Sequence, residues 1–228
     1  MAQSHIHTEA DLEAALSGLG KADPRFVALL ATAGRPPLRR RADGFAALAA
    51  IIVAQQLSTA SAGAIWARLA AAFDPFEPAA ILRARPARLA RLGLSAPKIR
   101  ALKAIARAVA RGELPLATLG ELAVDEAHAA LTAVHGIGPW TADIYLLSCL
   151  GHADAWPAGD LALQEAARVA FALRARPTAK EMQAMAETWR PWRAVAARIL
   201  WTYYRAAAAA KSAARRPARA KPRAKRVR

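Results

Sequence analysis

The stretch Leu131-Thr-Ala-Val-His135-Gly136-Ile137-Gly138-Pro139-Trp140-Thr141-Ala142 constrains the fold of this chain more than any other. Two glycines one residue apart permit a tight turn, and Pro139 follows at the one helical position where a missing N–H does no harm. The pattern predicts two helices joined by a glycine turn. The second helix begins with backbone N–H groups at its positive dipole end, a natural seat for a phosphate. Asp160 lies 20 residues after Trp140, behind a loop containing Gly151, Pro157 and Gly159, at the start of another predicted helix.

The rest of the chain agrees with helices. It is 55% hydrophobic and rich in alanine, and the residues that favour strands are sparse, so an all-α fold is predicted. With 228 residues it has length for one large domain or two helical lobes. Residues 1–10 read as a disordered N-terminus, 11–205 as the folded domain and 206–228 as a basic, disordered tail. The tail holds nine of the Lys and Arg residues and no acid; removing them from the net +16 leaves +7 for residues 1–205. A polyanionic partner follows from that charge. Cys149 is the sole cysteine, which excludes an internal disulfide and a four-cysteine zinc or iron–sulfur site. No apolar run reaches the roughly 18 residues of a membrane span, and no signal peptide is evident, so the reading is soluble and cytoplasmic.

Read in order, helical spacing runs from Asp11 to Leu19 and from Pro24 to Ala33, with Asp23 placed as a cap. Phe45–Ala54 is apolar on every face and must be buried. It runs into Gln55-Gln56-Leu57-Ser58, where Ser58 caps the next helix. Ser95 and Asp125 are further predicted caps, Thr178 and Glu181 form a capping box, and Lys98 near a helix start is the candidate phosphate contact. Asp143 reads as an exposed helix residue, and Ile144, Leu147 and Leu150 as core.

The glycine turn, the spacer and Asp160 together resemble the helix-hairpin-helix DNA glycosylases, and within them the alkylation-repair branch, the 3-methyladenine DNA glycosylase II type, over residues 43–205. The resemblance implies a two-lobed helical bundle with the active site in the cleft between lobes. It implies a hairpin of His135, Gly136, Ile137, Gly138 and Thr141 on the DNA, and a wedge, Gln56 or Leu57, that fills the gap left by an extruded base. A base pocket of Trp140, Trp189, Trp192, Ile144 and Leu161 is expected beside the catalytic Asp160. The partner would be double-stranded DNA containing alkylated bases, bound by a monomer associated with the nucleoid. No cofactor is expected beyond a monovalent cation on the hairpin carbonyls, and no metal on side chains. His135 stands where relatives commonly carry proline, and Ile144 and Leu161 where some carry aromatics.

Removing a base breaks the bond from a ring nitrogen to the sugar, and the sugar gains positive charge on the way. A carboxylate beside that carbon stabilises the charge and activates water. Relatives that also cut the strand carry a lysine two residues after the second hairpin glycine, which forms a Schiff base; here that residue is Trp140. The expectation is a monofunctional glycosylase that leaves an abasic site. Its alternatives are a non-catalytic DNA-binding or nucleoid protein, and a glycosylase for hypoxanthine or uracil.

Overall fold

The computed structural model describes residues 5–215, with side chains to residue 209. Twelve α-helices form among these residues. They are α1 (Glu9–Ala22), α2 (Arg25–Ala33), α3 (Gly44–Ala54), α4 (Thr59–Ala72), α5 (Pro78–Arg83) and α6 (Pro86–Arg91), then α7 (Ala96–Ala110), α8 (Val124–Thr132), α9 (Pro139–Tyr145), α10 (Leu161–Ala170), α11 (Ala179–Ala186) and α12 (Arg193–Arg215). No described helix is long and apolar enough to cross a membrane.

The two ends of the chain build one lobe, in which α12 packs against α1, α2 and α10. The middle builds the other around α3, whose Leu48, Ala49, Ile52 and Val53 are wholly buried under α4, α7 and α9. That placement follows from composition: a helix apolar on all sides has no face to offer water. Proline starts α5, α6 and α9 at their first positions, Ser58 and Thr178 cap α4 and α11 through their hydroxyls, and Glu181 completes the box on Thr178.

Several expectations are corrected. Residues 5–10 are not a disordered end: Ile6 is buried, its N–H donates to the Gly151 carbonyl at 2.7 Å, and Thr8 and Asp11 form a capping box that starts α1 at Glu9. The last helix runs through the predicted boundary at 206 to Arg215; the remainder of the proposed tail, 216–228, lies outside the described residues, as do residues 1–4. Ser95 holds the cap position of α7 without a side-chain bond. Asp125 does not cap α8; Glu126 receives the Ala123 N–H instead, at 3.3 Å, because the helix begins one residue before Asp125.

Trp189 is the centre of the terminal lobe and not a pocket wall. It is wholly buried, its ring stands edge-on to Phe26 at 5.0 Å and to Trp156 at 5.4 Å, and its Nε1 donates to Asp23 Oδ2 at 2.9 Å. Asp23 also binds the Arg25 guanidinium, whose hydrogen bonds hold the Asp23 carboxyl below its ordinary value. Trp192 is half-buried against Gly18 of α1, so it too lies away from the pocket. Trp189→Ala should cost about 3–5 kcal/mol of stability, read as a lower urea midpoint, because it empties a packed aromatic cluster and strips Asp23 of a donor.

Candidate active site

The glycine turn is tight because a helix lies under it. Gly136 has φ +93°, and a Cβ there would stand 2.3 Å from Ala101 Cβ on α7, so no larger residue fits. Ile137 is buried and closes the turn through its N–H to the Val134 carbonyl at 3.0 Å. Gly138 caps α9 with extended backbone and Pro139 opens it, which leaves the N–H groups of Trp140 and Thr141 without acceptors inside the helix. His135, Gly136 and Gly138 are exposed and present the turn to solvent. Gly136→Ala should destabilise by about 1–3 kcal/mol in chemical denaturation, since strained φ and overlap with α7 act together.

Thr141 does not face outward as expected. It is buried, and its Oγ1 accepts from Gln55 Nε2 at 2.7 Å. That bond ties the α3–α4 turn to the hairpin, a role sequence reasoning missed although the paired glutamines were the visible oddity. Lys98 is likewise not a free phosphate ligand: its Nζ donates to the carbonyls of Val53 at 2.7 Å and Gln55 at 2.8 Å, at the end of α3. Burial lowers the Lys98 ammonium below its ordinary value, and its charge serves the carbonyl end of a helix. Gln56 follows with φ +56°, exposed, and Leu57 is 40% exposed beside it.

These elements line a cleft of about 800 Å³ that runs from Gln55 and Gln56 past the hairpin to Asp160 and Leu161. Asp160 is half-buried at the N-terminus of α10, held by three donors from three elements. Its Oδ1 accepts the Leu163 N–H at 2.7 Å and Trp201 Nε1 of α12 at 3.3 Å; its Oδ2 accepts Trp140 Nε1 of α9 at 2.8 Å. The loop before it is braced by Gln164 Nε2 on the Ala158 carbonyl at 2.9 Å. The hairpin, Trp140, Leu161 and Asp160 therefore line one cleft. Ile144 does not join them; it borders a different cavity with Trp201, Pro36, Pro37, Arg39, Arg40 and Arg41. Trp201 is the functional residue missed, because only tertiary packing brings it to a carboxylate 41 positions away.

Behind Trp140 lies a second cavity of about 550 Å³ bordered by Asp143, His128, Asp154 and Arg193. Asp143 is not exposed as expected: its side chain is 13% accessible and stands 3.6 Å from His128 Nε2. Burial pushes its carboxyl up to about 7, against the opposing pull of Arg193, and burial pushes His128 down. A carboxyl whose folded value exceeds its ordinary 3.8 stabilises the fold below that value and loses the contribution as pH rises through about 7. Asp143→Asn should therefore come close to wild type near pH 4 and exceed it by about 4 kcal/mol at pH 8, read as the pH dependence of Tm.

A family model described as HhH-GPD superfamily base excision DNA repair protein matches residues 49–193, which span the α3–α4 turn, the hairpin and Asp160. The chain belongs to that family. Two relatives illustrate the likeness. The DNA-3-methyladenine glycosylase of Bacillus subtilis is 32% identical over 129 residues, covering 57% of this chain and 42% of that protein. DNA-3-methyladenine glycosylase 1 of Schizosaccharomyces pombe is 30% identical over 198 residues, 85% of this chain and 86% of its own length. The solved S. pombe 3-methyladenine DNA glycosylase (Mag1) in complex with abasic DNA aligns with a TM-score of 0.74 at 29% identity, over 82% of this chain and 95% of that one. The chain spans about two-fifths of the length of several curated relatives it matches, so the HhH-GPD match identifies the shared domain.

Proposed function

We propose that this protein is a monofunctional DNA glycosylase of base excision repair that releases alkylated purines of the 3-methyladenine type from double-stranded DNA. The observation that carries the reading is Asp160, aimed into the cleft by the start of α10, Trp140 and Trp201. A carboxylate held by three donors cannot swing away, so it stays beside the sugar as positive charge develops there. It also orients the water that attacks the sugar carbon as the bond to the base breaks. Relatives named DNA-3-methyladenine glycosylase support the substrate class.

Trp140 contributes twice. Its Nε1 orients Asp160, and an indole attracts a cationic alkylated base by roughly 0.5–2 kcal/mol over a neutral one. It has no amine, so no Schiff base forms and the product is an abasic site. The exposed hairpin residues receive the phosphates, and the turn's uncharged carbonyl oxygens are the donors a monovalent cation takes. Gln56, on the cleft wall, or exposed Leu57 enters the gap left by the extruded base. The enzyme acts as a monomer on nucleoid DNA in the cytoplasm.

Purified protein incubated with methylated duplex DNA should release 3-methyladenine, identified by chromatography. Asp160→Asn should slow release at least about 100-fold while leaving DNA affinity within a few-fold. Borohydride should trap no adduct. A variant as fast as wild type, or a trapped covalent band, overturns the reading.

A further inference from the structure

The cavity bordered by Ile144 and Trp201 has about 430 Å³, and its walls carry five arginines: Arg39, Arg40 and Arg41 from the loop before α3, and Arg198 and Arg205 from α12. No acid borders it, and none of the five forms an ion pair among the described residues. Like charges gathered around a partly enclosed space repel one another and cost stability unless something opposite occupies it. Their mutual influence is direct: burial and Arg40 push the Arg198 guanidinium down to about 10, and burial and Arg39 lower Arg205.

Arg198 is 6% exposed, and it spends its terminal nitrogens on the carbonyls of Leu38 and Leu147. Its buried Nε has no hydrogen-bond partner among the described residues. Arg40 is held in part by the Cys149 carbonyl at 2.8 Å and Arg205 by Thr202 Oγ1 at 3.1 Å, whereas Arg39 holds no side-chain hydrogen bond among the described residues. A set of guanidinium forks with donors to spare suits an oxyanion through paired N–H···O bonds, and phosphoryl oxygens are among the groups that arginine matches in this way.

We infer that this cavity is an anion site that takes a phosphoryl group. It has two sources: a backbone phosphate of the DNA strand lying in the adjoining cleft, since Trp201 borders the cavity and donates to Asp160, or the phosphate of a free nucleotide. The site does not depend on base release, so it stands or falls apart from the proposed chemistry.

The test compares wild type, Arg39→Gln/Arg205→Gln and a charge-matched control, Arg83→Gln/Arg91→Gln, whose residues are also exposed but lie on α5 and α6. Arg39→Gln alone is the fallback, since it removes no hydrogen bond. Affinity for a duplex carrying a stable abasic analogue is followed from about 50 to 200 mM KCl. A backbone phosphate in the site predicts that the slope of log K against log[salt] falls by about 1–2 in the cavity variant and not in the control. In a second arm, inorganic phosphate and 5′-AMP are titrated at constant ionic strength while Tm is read. A free phosphate in the site predicts stabilisation of wild type and control that the cavity variant loses. Equal slopes in all three proteins together with equal Tm responses overturn the site, as does an equal fall in slope for variant and control. Base release at saturating DNA, measured alongside, reports separately on Asp160.

Discussion

Three helices meet on one carboxylate. Asp160 takes the N–H of its own helix, the indole of Trp140 from α9 and the indole of Trp201 from α12, so its position depends on both lobes of the fold at once. A carboxylate at a helix N-terminus is an ordinary cap, and capping alone leaves one oxygen free to rotate. The two indoles remove that freedom, and an interaction aimed at developing charge is effective only when its geometry is set before the charge appears.

The cleft wall opposite is built by the same means, polar groups spent on neighbours so that backbone stays in place. Lys98 closes the carbonyl end of α3, Gln55 reaches from that end to Thr141, and Gly136 sits against Ala101 where no side chain fits. The hairpin thus presents its turn to solvent, with the backbone of Gly136 and Gly138 exposed. Buried α3 supports all of this, and the Tyr145 hydroxyl, which accepts the Gly44 N–H at 2.9 Å, joins its start to α9.

Charge is distributed less evenly than the net value suggests. Several basic groups are committed to partners within the protein: Lys98 to carbonyls, Arg25 to Asp23, and Arg193 to Asp154. The arginines around Trp201 form no ion pair among the described residues, and their clustering beside the cleft gives the positive field a defined place.

Much of this was written locally. The glycine turn, Pro139, the apolar run of α3, the Thr178 box and the capping position of Asp160 are all statements about residues within a few positions of each other, and local backbone geometry enforces them. The hairpin and Asp160, both legible in the sequence, line one cleft. What the sequence left open were contacts between residues far apart in the chain: Trp189 turned inward to Asp23, Trp201 outward to Asp160, Lys98 onto α3, Thr141 onto Gln55, and Ile6 onto Gly151. A tryptophan or a lysine has the same composition in a core, a cap or a pocket. Its role is decided by which partner packing brings within about 3 Å, and that distance exists only once the lobes have closed.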